Sequence, residues 1–121
     1  MSMKHIEIRG GRVVDPATQF DEAASVYVVD GKIAGLGQTP AGFKADQVID
    51  ATGLVVAPGL VDLSARIASN IDAELEAAVA GGVTTLACPP DVDPIIDEPE
   101  LAERIVRHAE DVSQVRVLPI G

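Results

Sequence analysis

The chain changes texture once, near Gly53, and the change limits it to a two-part architecture. Before that point short runs of β character alternate with turn residues. The runs are Lys4 to Arg9, Arg12 to Val14, Ala24 to Val29, Lys32 to Leu36 and Gln47 to Asp50, with Gly10-Gly11, Asp15-Pro16, Asp30-Gly31 and Thr39-Pro40 between or after them. This pattern predicts a small β-sandwich-type unit over 1–56. Asp30-Gly31 carries the strongest hairpin signal, because a type I′ turn needs positive φ at both central residues and Asp-Gly tolerates it. After Gly53 the rhythm becomes strand, helix, strand, helix, strand, with strands expected at Val55 to Leu63, Thr84 to Cys88 and Val115 to Leu118. Such alternation implies parallel strands joined by crossover helices, so 57–121 is expected to begin a TIM-type (β/α)8 barrel, giving a mixed fold. A complete barrel takes about 250 residues. With 121 residues and a strand-like run just before Gly121, the chain is expected to be the N-terminal part of something larger, its barrel incomplete.

The two helices are placed by their ends. Asn70 is expected to cap the first, with Asp72 and Glu74 in its N-terminal turn, Leu75, Ala78 and Val79 as its apolar face, and Gly81-Gly82 as its stop. For the second, Asp97 is expected at the cap with Glu100 three residues on, Pro99 in the first turn, and Leu101, Ile105, Ala109 and Val112 along one stripe.

Composition narrows the chemistry. Aromatic residues make up 2% of the chain and Trp is absent, so the core must rest on Val, Ile, Leu and Ala. A net charge of -10 argues against a nucleic-acid backbone or an anionic membrane as partner. The apolar stretches are too short and too interrupted by Gly and Pro to span a bilayer. The single cysteine, Cys88, cannot form an internal disulfide, and the charged N-terminal residues do not resemble a secretory signal. A cytoplasmic setting is expected.

Several segments, in order and spacing, resemble dihydroorotase, a pyrimidine-biosynthetic enzyme of the amidohydrolase superfamily. They are Ala57-Pro58-Gly59-Leu60-Val61-Asp62-Leu63, then Ala80-Gly81-Gly82-Val83-Thr84-Thr85-Leu86-Ala87-Cys88, then Asp93-Pro94-Ile95-Ile96-Asp97-Glu98-Pro99-Glu100-Leu101, and Val115 to Gly121. The opening Ile8 to Pro16 and the Val28 to Ile33 hairpin look like the small β domain that begins such proteins. The resemblance spans the chain, and it implies an active site at the end of the first barrel strand.

Carried over position by position, that site is altered wherever this chain contains it. Where the family reads His-x-His-Leu-Arg-Glu-Pro-Gly after the strand, this chain has Ser64-Ala65-Arg66-Ile67-Ala68-Ser69-Asn70. Ser64 and Arg66 replace the two metal histidines. A guanidinium has no lone pair and stays protonated, so it repels the cation that an imidazole would bind. Ala68 stands at the position of the arginine that grips the substrate carboxylate, and Asp91 at that of a substrate-contacting asparagine. The resemblance therefore implies no bound zinc, no other cofactor, and no catalytic residue in this chain.

Two classes of function follow from the resemblance. The first is a catalytically inactive dihydroorotase-like protein that serves as an assembly subunit, its partner the catalytic chain of aspartate transcarbamoylase. The alternative is an active amidohydrolase with a rebuilt site completed by residues beyond 121. The chain is expected to be oligomeric, with exposed strand edges at Thr84–Leu86 and Val115–Leu118 driving association unless they are covered.

Other chemistry-bearing residues have plainer readings. Asp62 is expected to be hydrogen-bonded structure, Cys88 a small buried hydrophobe, and His5 and His108 surface residues. Strand alternation aims Arg66 inward, to neutralise pocket carboxylates; bending out to solvent is the other course open to it. The acidic run from Asp91 to Glu100 is broken by Pro94 and Pro99 and lacks the spacing of a calcium loop, so it is expected to be a solvated loop leading into a helix.

Overall fold

The computed structural model describes residues 4–67 and 70–120. The chain divides into two compact units, Met1–Pro58 and Gly59–Gly121.

In the first unit five strands share one mixed sheet: β1 (His5–Asp15), β2 (Phe20–Val29), β3 (Lys32–Leu36), β4 (Gln47–Asp50) and β5 (Val55–Val56). The order is β3-β2-β1-β4, and β5 also pairs with β1. β1 is antiparallel to β2 and parallel to β4 and β5. Among the described residues this unit holds one sheet, with no second sheet packed against it.

The two runs expected at Lys4–Arg9 and Arg12–Val14 are one bent strand. Ile8 pairs with Val26 but Gly11 with Ala24, so Arg9 and Gly10 together oppose Ser25. Gly10-Gly11 thus makes a bulge and not a turn. Gly10 takes φ +80, and a Cβ there would lie 2.6 Å from Thr52 Oγ1. The hairpin is as expected: Asp30 and Gly31 have φ of 50 and 76, and Val29 pairs with Lys32. Val13, Val26, Tyr27 and Ala51 are buried. Phe43 meets the Tyr27 ring edge-on at 5.1 Å between centroids, and the Thr39 hydroxyl donates to the Tyr27 hydroxyl at 2.8 Å.

The second unit holds a three-stranded parallel sheet, β6 (Leu60–Asp62), β7 (Val83–Cys88) and β8 (Arg116–Pro119), in the order β6-β7-β8. Helix α1 (Ile71–Ala80) connects the first pair and α2 (Pro99–Val112) the second. This is the βαβαβ arrangement that the alternation required.

Three expectations need correction here. The strand expected over Val55–Leu63 is two strands in two sheets, because Pro58 has no N–H to donate and Gly59 packs its bare Cα on Thr84, whose side chain fills the space a Cβ would need. Thr84–Leu86 is not an edge, since β7 lies between β6 and β8; the edges of this sheet are β6 and β8. Helix α2 is capped by Glu98 and not Asp97, with no side-chain cap bond. Pro99 fits the first helical position, where no N–H is needed, and this sets Asp97 one residue outside the helix. Asn70 does occupy the cap of α1, again with no side-chain cap bond.

The helices pack through narrower stripes than expected. Leu75 and Ala78 of α1 and Ile105 and Ala109 of α2 are buried against Leu86, Cys88 and Val117 of the sheet and Val115 just before β8. Val79 and Val112 remain 56% and 48% exposed. Val79 lies about 100° around the helix from Ala78, which turns it off the core stripe, and Val112 ends the last turn of α2. No helix among the described residues is long and apolar enough to cross a membrane.

Candidate functional site

Ser64, Arg66 and Asp91 gather where β6 and β7 end, the end of a parallel sheet at which α/β proteins place their chemistry. β6 stops at Asp62 because the Asp62 carboxylate turns back to accept from the Ser64 N–H at 2.9 Å. That settles Asp62 as a hydrogen-bonding residue of the turn. Beyond it the main chain stays beside β7, with the Ala65 N–H donating to the Ala87 carbonyl at 3.0 Å. Ser64 and Arg66 therefore lie past the strand, not on one face of it as alternation predicted, because the Asp62 turn intervenes.

Arg66 reaches across to the loop after β7. Its Nη2 donates to Asp91 Oδ2 at 2.8 Å and its Nε to the same oxygen at 3.3 Å. The two side chains are 58% and 59% exposed. The hydrogen bond from Arg66, and then its charge, hold the Asp91 carboxyl below the ordinary carboxylate value, while Asp91 raises the guanidinium by the same contacts. Asp91 is carried by Pro89-Pro90, and the Pro90 carbonyl accepts from the Ile96 N–H at 3.1 Å, folding the acidic segment back on itself. Ala68 lies outside the described residues.

This donor set does not fit a divalent cation. Ser64 offers a neutral hydroxyl, Arg66 offers no lone pair, and Asp91 is already engaged by a fixed positive charge. The cysteine and the two histidines have partners of their own. Cys88 is fully buried at the end of β7, packed in the core. His108 Nε2 lies 2.6 Å from Asp72 Oδ1, tying α2 to α1 at the surface, and His5 Nδ1 lies 3.0 Å from the Lys44 carbonyl.

Sequence reasoning aimed Arg66 at pocket carboxylates without identifying Asp91 as its partner. The usable signal was their opposite charge at two positions that the resemblance assigns to one pocket.

No protein-family model matches the chain. A solved L-hydantoinase (dihydropyrimidinase) from Arthrobacter aurescens superposes with a TM-score of 0.76 at 24% identity, over 99% of this chain and 28% of that one. The fold is that of the amidohydrolases, enzymes built on TIM-type barrels. In sequence, the chain is 44% identical over 96% of its length to a dihydroorotase-like protein of Pseudomonas aeruginosa, of which it covers 29%, and 41% identical over 96% to a dihydroorotase of Solibacter usitatus, of which it covers 28%. Over nearly its whole length the chain is similar to dihydroorotases and dihydroorotase-like proteins, and it spans less than a third of the length of these relatives.

Proposed function

We propose that the chain is the N-terminal part of a catalytically silent dihydroorotase-like protein of the cytoplasm, whose work in pyrimidine biosynthesis is structural: it holds the catalytic chains of aspartate transcarbamoylase in an assembly. In this reading residues 1–56 open a small β-sandwich-type domain. Residues 57–121 form the first β/α units of a (β/α)8 barrel, and later strands cover the edges of β6 and β8.

The observation that supports silence is the Arg66–Asp91 pair. Opening or closing a cyclic amide in this family calls for a metal that polarises a carbonyl and acidifies a water. At the corresponding positions a guanidinium and a carboxylate neutralise each other at 2.8 Å. A charge-compensated pair keeps the mouth of the strands electrostatically settled without a metal, and it offers neither a Lewis acid nor a grip for a substrate carboxylate. The frame around it is ordinary: a buried core and a regular parallel ladder. Retention of the frame alongside exchange of the chemical groups is what a scaffolding role requires.

The test uses the full-length protein. Bound zinc is quantified by elemental analysis, cyclisation of carbamoyl-aspartate is assayed, and the protein is mixed with the transcarbamoylase catalytic chain and sized by light scattering. The expected result is no stoichiometric zinc, no turnover and a mixed complex. Stoichiometric zinc with turnover overturns the silent reading, and failure to form a mixed complex overturns the assembly role.

A further inference from the structure

Helix α1 and the C-terminal end of α2 flank a groove of about 550 Å3 whose lining does not include Arg66 or Asp91. Its apolar part consists of Leu75, Val79, Ala80 and Val112. Val79 and Val112 are the two aliphatic residues that the helical periodicity assigns to the core and the fold leaves half exposed. Its charged residues are all acidic, Asp72, Glu76 and Asp111, beside the neutral Ser113 and Gln114. Asp72 is taken up by His108. Among the described residues no ion pair engages Glu76 or Asp111.

A second, independent feature sets the sign of the charge this groove would accept. The C-terminus of a helix carries partial negative charge on its unpaired carbonyls, which a Lys, Arg or His in the last turn ordinarily complements. Neither α1 nor α2 has a basic residue in its last turn. Both of these ends lie at the groove, since Val79 and Ala80 finish one helix and Val112 the other. Two uncompensated helix termini and two unpaired carboxylates thus add at one place. The imbalance extends over the unit, which holds twelve of the 19 acidic side chains and four of the nine basic ones.

We infer that this groove docks a protein segment that presents Lys or Arg around one or two aliphatic anchors. The anchors bury Val79 and Val112, and the cations pair with Glu76, Asp111 and the helix carbonyls. Polyanionic nucleic acid is repelled from such a surface, and a purely apolar segment would desolvate the carboxylates without compensation. The inference deepens the assembly reading and rests on it, because it takes the transcarbamoylase catalytic chain to be the protein that supplies the basic segment.

The experiment measures binding of the full-length protein to that catalytic chain by titration calorimetry at low and at moderate salt, with three variants. One is Val79→Ser with Val112→Ser, one is Glu76→Lys with Asp111→Lys, and the control is Glu103→Lys on another part of α2. The expected result is that each groove variant weakens binding about tenfold or more, the control stays within about twofold, and wild-type affinity falls as salt rises. If wild type binds and both groove variants bind within twofold of it, the groove is not the docking face and the assembly reading stands. If wild type forms no complex, the assembly reading falls and the inference with it. Equal weakening by the control overturns the groove in favour of diffuse attraction. Self-association abolished by the groove variants assigns the surface to a second copy and overturns the basic partner. Should the valine variant melt early, the charge-reversed variant decides alone.

Discussion

Gly59 is the position at which one added methyl group tests the packing of the second unit most cleanly. A Cβ built on Gly59 falls 2.7 Å from the Cβ of Thr84 and closer still to the Thr84 Oγ1 and Cγ2 atoms. The obstacle is a β-branched side chain standing on the central strand, whose χ1 is stiff, so it cannot swing away freely. Gly59 is not among the positive-φ glycines, so Gly59→Ala introduces a clash and no backbone strain. Overpacking of this kind costs about 1–3 kcal/mol. The opposing gain, from a less flexible unfolded chain, is about 0.4–1 kcal/mol. The clash wins, and the net loss is about 1–2 kcal/mol, which for a unit of this size lowers Tm by about 4–16 °C. Urea and thermal melts followed by circular dichroism read it directly. Thr84→Ala removes the two nearest atoms and leaves only the Cβ, so Gly59→Ala in that background should cost less, with a coupling of at least about 0.5 kcal/mol. A Gly59→Ala protein that melts at or above the wild-type temperature would refute the close approach of the two strands, and additive single effects would refute Thr84 as its cause.

Three further outcomes are expected. Leu75→Ala empties a site that is 1% exposed and should cost about 2–5 kcal/mol, read as a drop in the urea midpoint. The Asp91 carboxyl, held down by Arg66, should titrate by carbon NMR below the ordinary value of 3.8 and return toward it in Arg66→Gln. Because its folded value is depressed, the contribution of the pair is present at neutral pH and disappears only as pH falls through that lowered value; an unchanged midpoint in Arg66→Gln would contradict the pairing. Cys88, with no exposed surface, should resist a thiol reagent in the native protein and react stoichiometrically in denaturant, and immediate native labelling would contradict its place in the core.

Sequence patterning located most elements because local rules and tertiary packing agree in them. Asp30-Gly31 needs no tertiary help to form its turn, and the strand at Lys32–Leu36 has the bounds its pattern implied. Most of the misreadings originate in contacts distant in sequence. Gly10-Gly11 has the composition of a turn, and only the pairing of β1 with β2, β4 and β5 makes it a bulge within a continuous strand. Val79 and Val112 satisfy helical periodicity, yet only the sheet decides how wide a stripe it will cover. At the candidate site the substitutions were visible residue by residue, whereas the bond between Arg66 and Asp91, 25 positions apart, depends on two loops meeting and leaves no local trace. The cap of α2 moved by one residue because Pro99 outweighed a capping box, a competition between two local rules.

The ladder around β7 continues past the strands assigned to it. Ala65 donates to the Ala87 carbonyl on one side, and Ile120 donates to the Cys88 carbonyl on the other. Ala65 sits between Ser64 and Arg66, so the positions of both are fixed by a peptide N–H that every residue type except proline carries. Such a site can exchange ligands for an ion pair, one substitution at a time, while its backbone stays in place. Main-chain bonding here separates the inheritance of shape from the inheritance of chemistry.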